Sequence, residues 1–143
     1  MIRFFIVAIS SILIAGSGLA DEKMSGNFLL GQKEFKKCKS CHMIKSEDGI
    51  VVVKGGKVGP NLYGIFSRKV ASVDGFKYGA SLKEVGETGL VWEEEQFVTY
   101  VQNPTLWLRK VLVNKKAKSK MSFKLKKEAA VRNIWAYLSS VSP

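Results

Sequence analysis

Residues 35–43 read FKKCKSCHM, and within them Cys38, Cys41 and His42 spell Cys-x-x-Cys-His. This is the spacing of covalent c-type haem attachment. Two thiols one helical turn apart each reach a vinyl group on the porphyrin edge and form thioethers. The adjoining imidazole then falls beneath the ring, where it binds iron. Three other chemistries use parts of the same motif. A zinc site would need four strong ligands, and the chain holds only two Cys and one His. A thiol–disulfide redox centre would need a thioredoxin-like strand before Cys38, and none is predicted there. A plain disulfide would leave His42 without a role. The motif therefore predicts one haem c, held through Cys38 and Cys41.

Working outward, residues 21–37 are predicted as a first helix, with Leu29, Leu30 and Phe35 on a loose apolar face. Gly31 costs about 1 kcal/mol inside a helix. It marks either a close crossing by a second helix or a helix that begins after it. Downstream, residues 45–57 read as a loop in which 50–53 form a small hairpin or a surface excursion. Gly59-Pro60-Asn61-Leu62 is a rigid turn. Its Pro60 carbonyl either accepts the second ring N–H of His42 or belongs to an ordinary proline turn. Glycines at 64, 75 and 79 predict irregular chain as far as Leu82.

A second helix is predicted over 92–103, with Glu93, Glu94 and Glu95 in its first turn and Pro104 as its stop. A shorter helical piece over 105–112 would partly bury Leu106, Trp107 and Leu108. Residues 126–140 form an amphipathic helix in which Val131, Ile134, Trp135 and Leu138 share one face. It is predicted to cross the first helix near Gly31 and close the core.

Between these helices, residues 113–125 place Met121 among Lys115, Lys116, Lys118, Lys120 and Lys124. A thioether bound to iron is one reason for an apolar residue there, and ordinary packing is the other. Of the remaining methionines, Met1 and Met24 precede the motif, and Met43 adjoins His42 and cannot reach the opposite face. Met121 is thus the candidate thioether ligand.

The 143 residues suffice for one domain. Arg3, the apolar run 4–15 and Gly18-Leu19-Ala20 predict a secretory signal at 1–20, cleaved after Ala20, with the mature domain at 21–143. Retention as a membrane anchor is the alternative. Either way the protein is expected to work outside the cytoplasm, where haem attachment takes place. Lys and Arg total 23 against 12 Asp and Glu, a net charge of +11 that falls to +10 without Arg3. For an exported chain this charge points to acidic protein surfaces and anionic lipid, not to nucleic acid.

Taken together, these residues resemble the class I c-type cytochromes, the soluble cytochrome c and bacterial cytochrome c2 family. The resemblance runs from about Gly31 to Leu138. It is carried by Gly31 and Phe35, by CKSCH at 38–42, by GPNLYGIF at 59–66 with Arg68-Lys69, and by GFKY at 75–78. Trp92, Tyr100, Asn103-Pro104, Lys120-Met121 with Phe123, and Arg132 through Leu138 extend it. It implies an all-α, single-domain fold with a few helices wrapped around one haem. By position it also implies His42 and Met121 as axial ligands and the Pro60 carbonyl as acceptor from His42. Tyr100 would be the tyrosine that bonds the ligand sulfur, and Arg68, Tyr78 and Trp92 would gather around the haem propionates. Ser119 stands where the family has threonine, Ser67 and Ala71 where it commonly has glycine, and the segments 43–58 and 105–120 are longer than in mitochondrial cytochrome c.

The function so implied is one-electron transport in the periplasm by a monomer. The expected partners are a cytochrome bc complex as donor and a terminal oxidase or photosynthetic reaction centre as acceptor. Contact with the membrane would be transient. A haem peroxidase or gas-sensing module would instead need an open iron position, and hence no ligation by Met121.

Overall fold

The computed structural model describes residues 25–142, so the expected signal segment lies outside the described residues. Five α-helices and one small hairpin follow in the order α1 (Phe28–Glu34), β1 (Ile44–Lys45), β2 (Val51–Val53), α2 (Ala80–Glu87), α3 (Glu94–Gln102), α4 (Pro104–Val111) and α5 (Glu128–Ser140). A single 3₁₀ turn, Phe35–Lys37, tightens the end of α1 before the cysteine motif.

The first helix is shorter than its predicted span because Asn27 caps it. The Asn27 side chain accepts from the Leu30 N–H at 3.0 Å, satisfying one of the orphan donors of the first turn. Gly31 is a true helical position, and its reason is the crossing helix. A Cβ at 31 would fall on the Asn133 carbonyl of α5 and against Tyr137. The first and last of the described helices are therefore packed backbone against backbone. Phe35 and Tyr137 seal that crossing with ring centroids 5.7 Å apart.

Asn103 serves two helices at once. It ends α3 in an extended conformation, and its side chain accepts from the Leu106 N–H at 3.3 Å to start α4, with Pro104 at the first position. Within α4, Trp107 and Leu108 are buried, but Leu106 points outward and is exposed, contrary to expectation. The longer core-facing helix, α5, buries Val131, Ile134, Trp135 and Leu138 as its periodicity predicts. Its polar side carries Arg132, which pairs with Glu94 at 3.0 Å, Glu95 at 2.7 Å and Glu128 at 2.8 Å.

One open alternative is decided and one element departs from the sequence expectation. Residues 50–53 do form a hairpin, in which β1 and β2 pair antiparallel with Ile44 opposite Val53. The chain is thus helical with a small sheet. Also, α2 lies partly inside the stretch predicted to be irregular. Gly86 hid it, being a poor helix former. It is needed because a Cβ there would meet the Val70 carbonyl. Among the described residues, no helix is long and apolar enough to cross a membrane.

Candidate cofactor site

The Cys-x-x-Cys-His segment continues the 3₁₀ turn as a tight helical coil. The Cys38 N–H donates to the Phe35 carbonyl at 2.8 Å, Cys41 to Cys38 at 3.1 Å, and His42 to Cys38 at 3.0 Å. This coil places both thiols within one turn, bordering one cavity, and both are unpaired. A helix and its 3₁₀ extension, not a strand, precede Cys38, so a thioredoxin-like setting is lacking. Nor, among the described residues, is there any cluster of three His, Cys, Asp or Glu to hold a metal by itself. Burial pushes the Cys38 thiol up to about 11, against a smaller lowering by the Lys37 ammonium.

Residues 55–59 run directly beneath this coil. Gly56 N–H donates to the Lys39 carbonyl at 2.9 Å and Gly59 N–H to the Cys41 carbonyl at 2.8 Å. A Cβ at 59 would overlap the His42 ring itself, so this glycine is required by the imidazole's position. The next residue fixes the ring's orientation. His42 Nδ1 lies 2.8 Å from the Pro60 carbonyl oxygen. A carbonyl can only accept, which places the proton on Nδ1 and leaves the Nε2 lone pair free. Burial lowers the His42 pKa, with the Pro60 bond opposing, so the ring stays neutral. The turn is tied in place by Asn61, which donates to the Lys45 carbonyl at 2.6 Å and accepts from the Lys45 N–H at 3.0 Å.

The cavity has a volume of about 590 Å³, within the range of small-molecule sites, and its walls are mainly apolar. Met121 borders it from the loop between α4 and α5. Its N–H donates to Ser119 Oγ at 3.0 Å, and Ser119 Oγ lies 3.4 Å from the Tyr100 hydroxyl. Burial raises the Tyr100 pKa. Trp92 lies at the back of the site, stacked on Trp107 with centroids 5.5 Å apart and edge-on to Tyr100 at 5.1 Å.

Arg68 donates to the carbonyls of Tyr63 at 2.8 Å and Asn61 at 3.1 Å. Tyr78, nearby, accepts from the Val73 N–H at 3.2 Å. Both border the cavity. Burial lowers the Arg68 pKa, yet among the described residues no carboxylate pairs with this guanidinium. A partly desolvated cation facing an apolar cavity fits a ligand that brings its own negative charge there. The haem, with two propionates on an otherwise apolar ring, has that character. The two free thiols, the oriented imidazole and the thioether supply the remaining groups it needs.

Several contributors carry no sequence signal. Lys120 Nζ donates to the Lys77 carbonyl at 2.9 Å, Lys118 N–H to Ser81 Oγ at 3.2 Å, and Ser119 N–H approaches Thr105 Oγ1 at 3.4 Å. These bonds fasten the Met121 loop to the 77–81 segment and to α4. They join residues far apart in sequence, and no local pattern announces them.

No family model matches the chain. It is 48% identical over 120 residues to cytochrome c-550 of Paracoccus denitrificans, covering 82% of this chain and 76% of that one. To cytochrome c2 of Cereibacter sphaeroides it is 43% identical, covering 98% of this chain and 97% of the other. Among solved structures, cytochrome c2 from Paracoccus denitrificans superposes with a TM-score of 0.79 at 48% identity, covering 82% of this chain and 98% of that chain. Cytochrome c2 from Rhodobacter capsulatus superposes with a TM-score of 0.78 at 46% identity, covering 81% and 98%.

Proposed function

Because the chain belongs to the cytochrome c2 family of class I c-type cytochromes, we propose that His42 and Met121 are the two axial ligands of its haem. One haem c is carried, attached through Cys38 and Cys41, and the protein is an electron carrier. The haem supplies an iron that alternates between two oxidation states, and everything else is the work of the polypeptide. The observation that carries the ligand reading is the bond from His42 Nδ1 to the Pro60 carbonyl. It fixes the tautomer and leaves Nε2 as the only ring atom free to coordinate.

We assign each remaining residue a role that its placement supports. Ser119 holds the Met121 backbone N–H and so limits where the thioether can swing. The Tyr100 hydroxyl sits beside Ser119, within the site, as a donor to the ligand sulfur. Arg68 offers positive charge to the propionates, with Tyr78 and Trp92 shaping the same wall. If His42 and Met121 both held the iron, they would leave no place for a substrate, which would agree with the carrier function of the family. A soft thioether and an apolar shell both favour the reduced state and raise the potential.

For partners we infer acidic docking faces, those of a cytochrome bc complex on one side and of a terminal oxidase or reaction centre on the other. Lys37, Lys77, Lys118 and Lys120 border the cavity, so the positive charge is concentrated where electrons would leave. The proposed address is the periplasm, reached through the signal at 1–20.

The ligand assignment is tested by the weak sulfur-to-iron charge-transfer band of the oxidised protein in the near infrared. The band is expected in the wild type and lost in Met121→Ala. A wild type without it, or a variant that keeps it, means that another group binds the iron.

A further inference from the structure

At its C-terminal end, α4 closes with two bonds. The Val113 N–H donates to the Lys110 carbonyl at 3.3 Å and the Asn114 N–H to the Arg109 carbonyl at 3.0 Å. This is a Schellman closure, whose left-handed position is ordinarily glycine. Here it is Val113, with φ of +50°. A β-branched residue is poorly suited to that conformation, because its Cβ crowds the following carbonyl. Packing gives no compensation, since Val113 is 92% exposed.

The tip that carries Val113 is tied down by hydrogen bonds. Asn114 Oδ1 accepts from the Lys116 N–H at 2.9 Å, and the Ala117 N–H returns to the Asn114 carbonyl at 3.1 Å. Arg109 closes the turn from behind by donating from Nε to the carbonyl of buried Ala117 at 3.2 Å. Leu106, one helical face back, is 60% exposed. An aliphatic side chain is thus held outward on a fixed tip, at a position where glycine would make the fold more stable.

The charge around it has one sign. From Thr105 to Lys127 there are eight Lys and one Arg and no acidic residue. Lys110, Lys115 and Lys116 flank the tip, and none of them borders the cavity. We propose that this tip is a docking surface for an anionic lipid bilayer, separate from the site at which electrons are exchanged. A second copy of the chain would be repelled by the same charge. A protein partner is ordinarily gripped by aromatic and arginine anchors on a broad face; this tip has no aromatic residue, and its one arginine, Arg109, is engaged with the Ala117 carbonyl. A bilayer surface is fluid, accepts a lone aliphatic side chain, and answers to the diffuse charge of lysine without demanding bidentate geometry.

The test uses the haem-loaded mature protein and vesicles of phosphatidylcholine with or without phosphatidylglycerol, read by co-sedimentation. Binding is expected only with phosphatidylglycerol and is expected to weaken as salt rises. Val113→Gly should raise the thermal midpoint while weakening vesicle binding roughly fivefold or more, by removing the inserted side chain. Lys115→Glu with Lys116→Glu should weaken it roughly 25-fold or more, each basic residue near an anionic surface counting for about fivefold. Lys83→Glu, on α2, should change it severalfold at most. Absence of binding at low salt, or a Val113→Gly protein that binds as tightly as wild type, overturns the proposal. So does a Val113→Gly protein that melts earlier, or a tip that captures an acidic protein while ignoring vesicles.

Discussion

Arg68 and Trp92 are locked together at the backbone: the Trp92 N–H donates to the Arg68 carbonyl at 2.8 Å, and the Ser67 N–H returns to the Trp92 carbonyl at 3.0 Å. A cation and an aromatic ring on one wall of the site are thereby held in register. The lock has a cost, because the chain turns back through Ser67 at φ +52° and Ala71 at φ +57°.

Ser67→Gly should therefore stabilise the protein by about 0.5–1 kcal/mol, as left-handed backbone costs an L-residue ~1–2 kcal/mol and glycine gives part of that back as entropy. Ser67 is exposed, so nothing else is lost. Ala71 borders the cavity and packs on the core. Its methyl is worth ~0.8 kcal/mol buried, so Ala71→Gly should be close to neutral. Urea titration of both variants against wild type separates the two outcomes.

The thiols give a second prediction. With Cys38 and Cys41 both bonded to haem, the mature protein should show no titratable thiol, and acid–acetone extraction should leave the colour with the protein. Cys38→Ser should still retain haem through the remaining thioether, with one bond fewer by mass spectrometry. Free haem recovered from the wild type would contradict covalent attachment.

Docking gives a third. The rate of electron transfer to an acidic partner should fall tenfold or more as salt is added, since steering speeds association by ~10–10³ and is screened over roughly 8–10 Å at physiological salt. Lys39→Glu beside the motif should mimic salt, and Lys83→Glu on α2 should do much less. Lys120 is a poorer probe, because its ammonium also fastens the Met121 loop to the Lys77 carbonyl. A rate indifferent to salt would assign the positive charge to solubility or the membrane surface, not to a face that docks redox partners.

How far the sequence could be read depends on how locally each feature is specified. The motif at 38–42 and the apolar stripe of α5 are short-range patterns, and both are legible without coordinates. Gly31 left open whether a helix crossed it or began after it, and the stripe of α5 supplied the crossing partner that the structure shows. Leu106 was misjudged because a helix of eight residues has room for only one buried stripe, and Trp107 and Leu108 occupy it. The hydroxyls of Ser81 and Thr105 were unreadable. Their partners Lys118 and Ser119 approach only through tertiary folding.

Arg132 supplies a fourth prediction. The hydrogen bond from its guanidinium holds the Glu95 carboxyl below the usual carboxylate range, while Glu95, Glu128 and Glu94 together push the Arg132 pKa up. A carboxyl with a lowered pKa contributes stability that is present above its unfolded value and is lost as pH falls through the folded one. Arg132→Met should thus cost about 1 kcal/mol near neutral pH, the modest sum expected of solvent-screened pairs. The deficit should shrink as the pH drops below about 4, where wild type loses the same interaction. Thermal melts of both proteins across that range give the comparison.

The crossing of α1 on α5 also sets a schedule. Phe28 opens the first helix and Glu128 the last, so α1 and the coil that follows it emerge from synthesis some 100 residues ahead of the helix they pack against. Until α5 packs, the burial that pushes the Cys38 thiol up to about 11 has not formed. The thiol then ionises near its ordinary value of about 8.5, in open solvent, where it is more reactive. Haem attachment outside the cytoplasm is thus favoured on a chain delivered there before α5 has docked on α1, and that docking brings the opening to an end.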